Sequence, residues 1–207
     1  MHKTVQNLLS IKTQIKTKIS ELKYSYTPEI IAVSKTFLIN HIMPLIENGH
    51  IHFGENKVQE ALEKWPEIKK NKKNIKLHMV GKLQTNKVKF ALRIFDYIHS
   101  LDSIKLAKKI SEEQKKYTNK PKIFIQINIG NEDQKSGVSK KNILDFYTEC
   151  KKLNLDVVGI MCLPPINKDP NIFFLEMKKI NIDLNLKEIS MGMSKDYMDA
   201  IKHSSTF

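Results

Sequence analysis

Seven times along this chain an apolar, β-branched run of strand length is followed by a segment with helical spacing, and that alternation constrains the fold more than any other feature. The runs are "EIIAVSK" (29–35), "HIHFGEN" (50–56), "IKLHMVG" (75–81), "DYIHSLD" (96–102), "KIFIQINIG" (122–130), "LDVVGIMCLP" (155–164) and "EISMGM" (188–193). Between them lie helical stretches such as "LINHIMPLIENG" (38–49), with Gly49 placed as a C-terminal cap, and "SIKLAKKISEEQKKY" (103–117), with Ser103 placed as an N-cap. Near-continuous apolar strands alternating with helices make a parallel sheet covered by helices. An open doubly wound sheet and a closed barrel both satisfy the pattern. Seven regular units without a glycine-rich first turn favour the barrel. Only "SSTF" follows the seventh helix, so the expectation is an α/β fold, a (β/α)8 TIM-type barrel with its eighth strand missing. Strands 1 and 7 would then each show an unpaired edge. No internal repeat or Pro/Gly-rich linker divides the chain, which reads as one domain over residues 1–207.

Composition narrows the function classes. A hydrophobic content of 41% and a charged content of 28% are those of a globular protein. Cys150 and Cys162 are too few for a disulfide framework and lack metal-ligand spacing, which suits a reducing cytoplasm. No stretch approaches the roughly 20 apolar residues that span a bilayer, and the first 23 residues read as an amphipathic helix. The net charge of +13 is almost all lysine spread along the chain, with Arg93 the single arginine. Specific readers of nucleic acid lean on arginine forks and stacking aromatics, so no specific nucleic-acid function is expected.

In a barrel the chemistry sits at the C-terminal ends of the strands. Lys35 closes an apolar run there, where packing alone would not place a charge. A lysine whose stem lies against apolar walls can supply a free amine and form a Schiff base with an aldehyde; a solvated lysine is the plainer alternative. "GMSKD" (192–196) sets Gly192 and Ser194 at the start of the last helix, where backbone N–H groups can receive an anion. An ordinary turn capped by Ser194 would read the same way. Asn56 and His78 belong to the same end of the sheet if register holds. Met161 and Cys162 read as packing, and no metal cluster or catalytic residue is assigned.

These residues fall in six blocks: "AVSKT" (32–36), "FGENKVQE" (53–60), "LHMVGKLQTNK" (77–87), "QINIGNEDQKSG" (126–137), "GIMCLP" (159–164) and "SMGMSKD" (190–196). In that order they resemble the pyridoxal phosphate homeostasis proteins, small barrels of PLP fold type III similar to the N-terminal domain of alanine racemase. Leu77 stands where the family usually has an aromatic residue. The resemblance implies that Lys35 holds pyridoxal 5'-phosphate (PLP) as an aldimine. It also implies that Ser194 and the backbone around Gly192 grip the phosphate, and that Asn56 and His78 line the pocket. It further implies a cytoplasmic, monomeric, non-catalytic PLP carrier, with apo PLP-dependent enzymes as partners and no membrane or specific nucleic-acid role. The alternatives are a PLP-dependent racemase or lyase, for which His78 is the one candidate second acid–base group, and a truncated remnant with weak cofactor binding. Family members continue past the position of Phe207 with an arginine–x–glycine–threonine strand that brings further phosphate donors. Loss of two or three such bonds, at about 1.5–3 kcal/mol each, is expected to weaken phosphate binding.

Overall fold

The computed structural model describes residues 1–118 and 120–207. Seven strands, β1 (Ala32–Val33), β2 (His52–Glu55), β3 (Lys76–Met79), β4 (Tyr97–Leu101), β5 (Lys122–Ile127), β6 (Val157–Cys162) and β7 (Glu188–Ser190), form one parallel sheet in sequence order. Helices α1 (Lys3–Leu22), α2 (Ile39–Glu47), α3 (Val58–Lys64), α4 (Pro66–Asn71), α5 (Val88–Ala91), α6 (Ile104–Gln114), α7 (Ile143–Lys152), α8 (Pro170–Asp183) and α9 (Tyr197–Lys202) lie between and around them. Gly49, at φ +82°, ends α2 as its sequence position implies, and the Ser103 hydroxyl accepts the Leu106 N–H at the start of α6.

The pairing register sorts the side chains of the sheet into two faces. Phe53, Leu77, Met79, Ile98, Ile123 and Ile125 point outward into a core shared with the helices, where Phe53 packs against the fully buried Trp65 with ring centroids 5.0 Å apart. His52, Gly54, His78, Tyr97, His99 and Phe124 point inward. Rings on β2, β3, β4 and β5 all approach Phe207 within 5.5–6.2 Å. Side chains from so many strands meet only if the sheet curls around them.

The last residues complete that curl. The Thr206 N–H donates to Ile189 O on β7 at 2.8 Å, while Thr206 O accepts the Glu29 N–H from the segment leading into β1, also at 2.8 Å. Phe207 O accepts the Met191 N–H and the buried Ser205 hydroxyl donates to Met191 O. Among the described residues the sheet has seven strands and no eighth, as expected, while the expectation of two bare edges is corrected. The "SSTF" segment lies in the eighth position and bridges β7 to the approach to β1, because its backbone groups find acceptors and donors on both sides. Above it, Val33 and Met193 remain exposed on either flank.

Candidate functional site

Lys35 stands in a turn just beyond β1, and its side chain is exposed. This differs from a stem held against apolar walls: β1 pairs over two residues only, so the chain leaves the ladder before Lys35 is reached. Among the described residues no hydrogen bond or ion pair engages Lys35 Nζ, while its carbonyl accepts the Thr36 hydroxyl at 2.6 Å. What the structure fixes is the backbone on either side of it. The Ser34 hydroxyl donates to the Glu55 carboxylate at 2.8 Å, and Ser34 O accepts from Lys64 Nζ at 2.9 Å. Thr36, on the other side, has φ +66°, a left-handed conformation that a β-branched residue avoids at a cost of order 1–3 kcal/mol. Its N–H donates to the Glu60 carboxylate at 2.7 Å. That bond, followed by contact with Lys64, holds the Glu60 carboxyl below the ordinary carboxylate range.

The two anchors are one network. Lys64 Nζ contacts Glu55 Oε1 at 2.9 Å and Glu60 Oε1 at 3.2 Å, and the Trp65 indole N–H donates to the same Glu55 oxygen at 3.0 Å. Glu55 is completely buried. A buried ion pair persists only with such additional donors. The "FGENKVQE" block therefore builds a rigid bracket for the Ser34–Lys35–Thr36 turn, a role that no single residue in it advertises.

Asn56 follows β2 directly, and its buried Oδ1 has no hydrogen-bond partner. Gly81, at the end of the β3 run, packs on the Asn56 backbone so closely that a Cβ there would lie 2.3 Å from Asn56 O. The two strand ends are thus locked together, and Asn56 holds an acceptor in reserve.

His78 is wholly buried in the barrel interior with both ring nitrogens engaged. Its Nε2 lies 2.9 Å from His52 Nδ1 and its Nδ1 lies 2.9 Å from His99 Nε2. His99 Nδ1 lies in turn 2.8 Å from Ser190 Oγ on β7. Tyr97 stacks on His78 at 4.3 Å and Phe124 on His99 at 4.3 Å. Burial lowers the pKa of each ring, that of His99 to about 3. Any contact between His78 and a ligand must therefore run through the ring rather than a free nitrogen.

The turn after β7 departs from its expected form. Ser194 is not the N-cap of α9, which starts at Tyr197 and has Asp196 at the cap position. The reason is a tighter turn before it, in which Met193 O accepts the N–H groups of Asp196 and Tyr197 and the Asp196 carboxylate accepts the Met193 N–H at 2.6 Å. Gly192, at φ +93°, is required there: a Cβ would lie 2.7 Å from Ala200 Cβ. Ser194 is left exposed, and among the described residues no acceptor takes its hydroxyl or its N–H. An anion at this turn would use those donors and lie beside Asp196.

The turns carrying Lys35 and Ser194 leave the same end of strands that flank the position of residues 204–207. Two strand spacings separate such strands, ~10 Å, the scale of one small phosphorylated molecule. The cysteines take no part. Burial pushes both thiols up, Cys150 to about 12, which keeps them protonated. Among the described residues no His/Cys/Asp/Glu group could hold a metal ion, and no helix is long and apolar enough to cross a membrane.

A curled parallel sheet with a bracketed lysine after its first strand and a glycine turn after its last defines a small α/β barrel. Comparison with known proteins makes the class specific: residues 10–206 match the family described as alanine racemase, N-terminal domain, and the chain belongs to that family. Within it, the chain is 32% identical over 213 residues to the pyridoxal phosphate homeostasis protein of Pasteurella multocida, covering 97% of this chain and 91% of that one. It is 33% identical over 214 residues to the protein of the same name from Haemophilus influenzae, covering 97% and 90%. Among solved structures, PipY of Synechococcus elongatus with PLP bound superposes with a TM-score of 0.80 at 28% identity, covering 93% of this chain and 95% of that one. These relatives are named as homeostasis proteins rather than as enzymes.

Proposed function

We propose that this chain binds PLP at the mouth of the barrel and serves PLP homeostasis without a turnover reaction of its own. The observation that carries this reading is the PipY structure with PLP bound, which shares the fold over 93% of the chain. The site residues fit the cofactor. Lys35 Nζ is unpaired among the described residues and stands on a turn held from both sides, so its side chain is placed to condense with the PLP aldehyde, releasing water. The Ser194 hydroxyl and N–H offer unspent donors for the phosphate, the orphaned Asn56 Oδ1 awaits a donor, and the His78 ring lies in the barrel interior. When bound, PLP supplies an electrophilic aldehyde; the protein supplies the amine and the phosphate donors.

Mixing the purified chain with PLP is expected to produce the long-wavelength absorbance of an imine, and Lys35→Ala is expected to abolish it. An unchanged spectrum in Lys35→Ala would overturn the reading.

Loops at the same end expose Phe37, Leu38, Ile166 and Met193, the last at 56%. We infer that this apolar rim meets apo PLP-dependent enzymes, which receive the cofactor by direct contact. The loaded chain should then activate an apo-enzyme faster than an equal concentration of free PLP mixed with the Lys35→Ala chain. Equal rates would exclude hand-over. The free, buried cysteines support a reducing, cytoplasmic setting.

A further inference from the structure

The row of histidines inside the barrel is bonded end to end, and its geometry is restrictive. A neutral imidazole carries one N–H and one lone pair. His52, His78 and His99, bonded in line and ending on Ser190 Oγ, can therefore place their protons in two arrangements only, all on Nε2 or all on Nδ1. Any mixture would set two donors or two acceptors against each other.

The outer end decides between them. Glu29, with its side chain 59% exposed, brings Oε2 to 3.8 Å from His52 Nε2. Its charge favours a proton on that nitrogen. Asp96, just before β4, acts in the same sense, and Lys76 on β3 opposes it. His50, whose Nε2 lies 2.8 Å from His52 O and whose pKa burial lowers to about 4, is neutral near pH 7, and the rings of His78, Tyr97 and Phe207 are uncharged walls. With Nε2 protonated, His52 Nδ1 accepts from His78, His78 Nδ1 accepts from His99, and His99 Nδ1 accepts from the Ser190 hydroxyl.

We propose that Ser190, His99, His78 and His52 form a directional proton relay from the mouth of the barrel to Glu29. In one transfer a protonated group at the mouth, a primary ammonium in the reading above, gives a proton to Ser190 Oγ while the hydroxyl proton passes to His99 Nδ1. The His99 Nε2 proton moves to His78 Nδ1, and the His78 Nε2 proton moves to His52 Nδ1. The mouth group ends one proton poorer, His99 and His78 are again neutral with protons on Nδ1, and His52 is an imidazolium facing the Glu29 carboxylate. Release of its Nε2 proton to Glu29 and then to solvent completes the passage. Only the identity of the mouth group rests on the PLP reading; the relay does not.

The test uses the full chain, labelled with nitrogen-15 and free of cofactor, so its outcome is independent of PLP binding. Long-range nitrogen–proton NMR correlations assign each tautomer. Near neutral pH, His78 and His99 should both carry the proton on Nε2. As His52 becomes protonated on mild acidification, both should move to Nδ1 with one shared midpoint. In Glu29→Gln, which alters an exposed side chain, the neutral-pH spectrum should show both arrangements in place of one. Opposite tautomers on His78 and His99, tautomers indifferent to His52 protonation, or an unchanged ratio in Glu29→Gln would each overturn the relay.

Discussion

Lowering the pH from 7 to 5 is expected to remove about 4 kcal/mol of folding stability, well before the carboxylates of the protein titrate. The cause is buried imidazole. Burial drives the pKa of His50 down to about 4 and that of His99 to about 3, against about 6.5 in an unfolded chain. A lowered folded-state pKa means that the unfolded chain binds the proton first. The stabilisation is therefore complete above the unfolded value and declines as pH falls from about 6.5 toward the folded values. At pH 5 each of these two rings contributes a loss of about 2 kcal/mol. His52 and His78 shift in the same direction and add to it. Total stabilities of about 5–15 kcal/mol leave little room for such a loss. Glu60 and Asp169, whose carboxyls are held low, act only below this window. Denaturant titrations at pH 7 and pH 5 should show a large fall in midpoint at constant slope, and equal midpoints would contradict the buried cluster.

Removing the Glu55 carboxylate should be similarly severe. Glu55→Ala takes away the oxygen that accepts from Ser34, Lys64 and Trp65, leaves the buried indole N–H without a partner and leaves the Lys64 ammonium with Ser34 O and Glu60 alone. Breaking one side of a buried ion pair typically costs about 3–5 kcal/mol. For a chain of this length that corresponds to a fall in Tm of roughly 6–20 °C. Glu55→Gln, which keeps an acceptor oxygen, should lose less. The consequence reaches the site, because the Ser34 hydroxyl loses its acceptor and Lys64, which holds Ser34 O, loses its buried anchor. Thermal unfolding of the two variants checks the order, and a Glu55→Ala chain as stable as the parent would refute the bracket.

The seven strands were readable because each is an apolar run bounded by helical spacing, and that periodicity survives without knowledge of partners. Their lengths were not. "EIIAVSK" carries as many apolar residues as "IKLHMVG", yet only Ala32 and Val33 pair, because β1 has one full neighbour and a short one. Helix α4 has no counterpart among the helical stretches read from the sequence; Pro66 takes its first position, where proline is well tolerated. Motif and position placed Lys35, Asn56, Gly192 and Ser194 at the strand ends, which is where the structure has them.

The groups that organise the site were harder to see. Glu55 and Glu60 look like ordinary helix-flanking charges until the fold brings Ser34 and Thr36 onto them. His52 and His99 each look structural alone. A signal was present, since "HIHFG", "KLHMV" and "YIHSL" each set a histidine on the face opposite the outward Phe53, Leu77 and Ile98. Turning that parity into a line of bonds needs the strand register, which sequence spacing does not supply.

One measurement bears most directly on the whole account: reduce the PLP-treated chain with borohydride, digest it and locate the pyridoxyl group by mass spectrometry. The account predicts stoichiometric labelling of Lys35. Labelling scattered over the surface lysines, or concentrated on any other one, would contradict it.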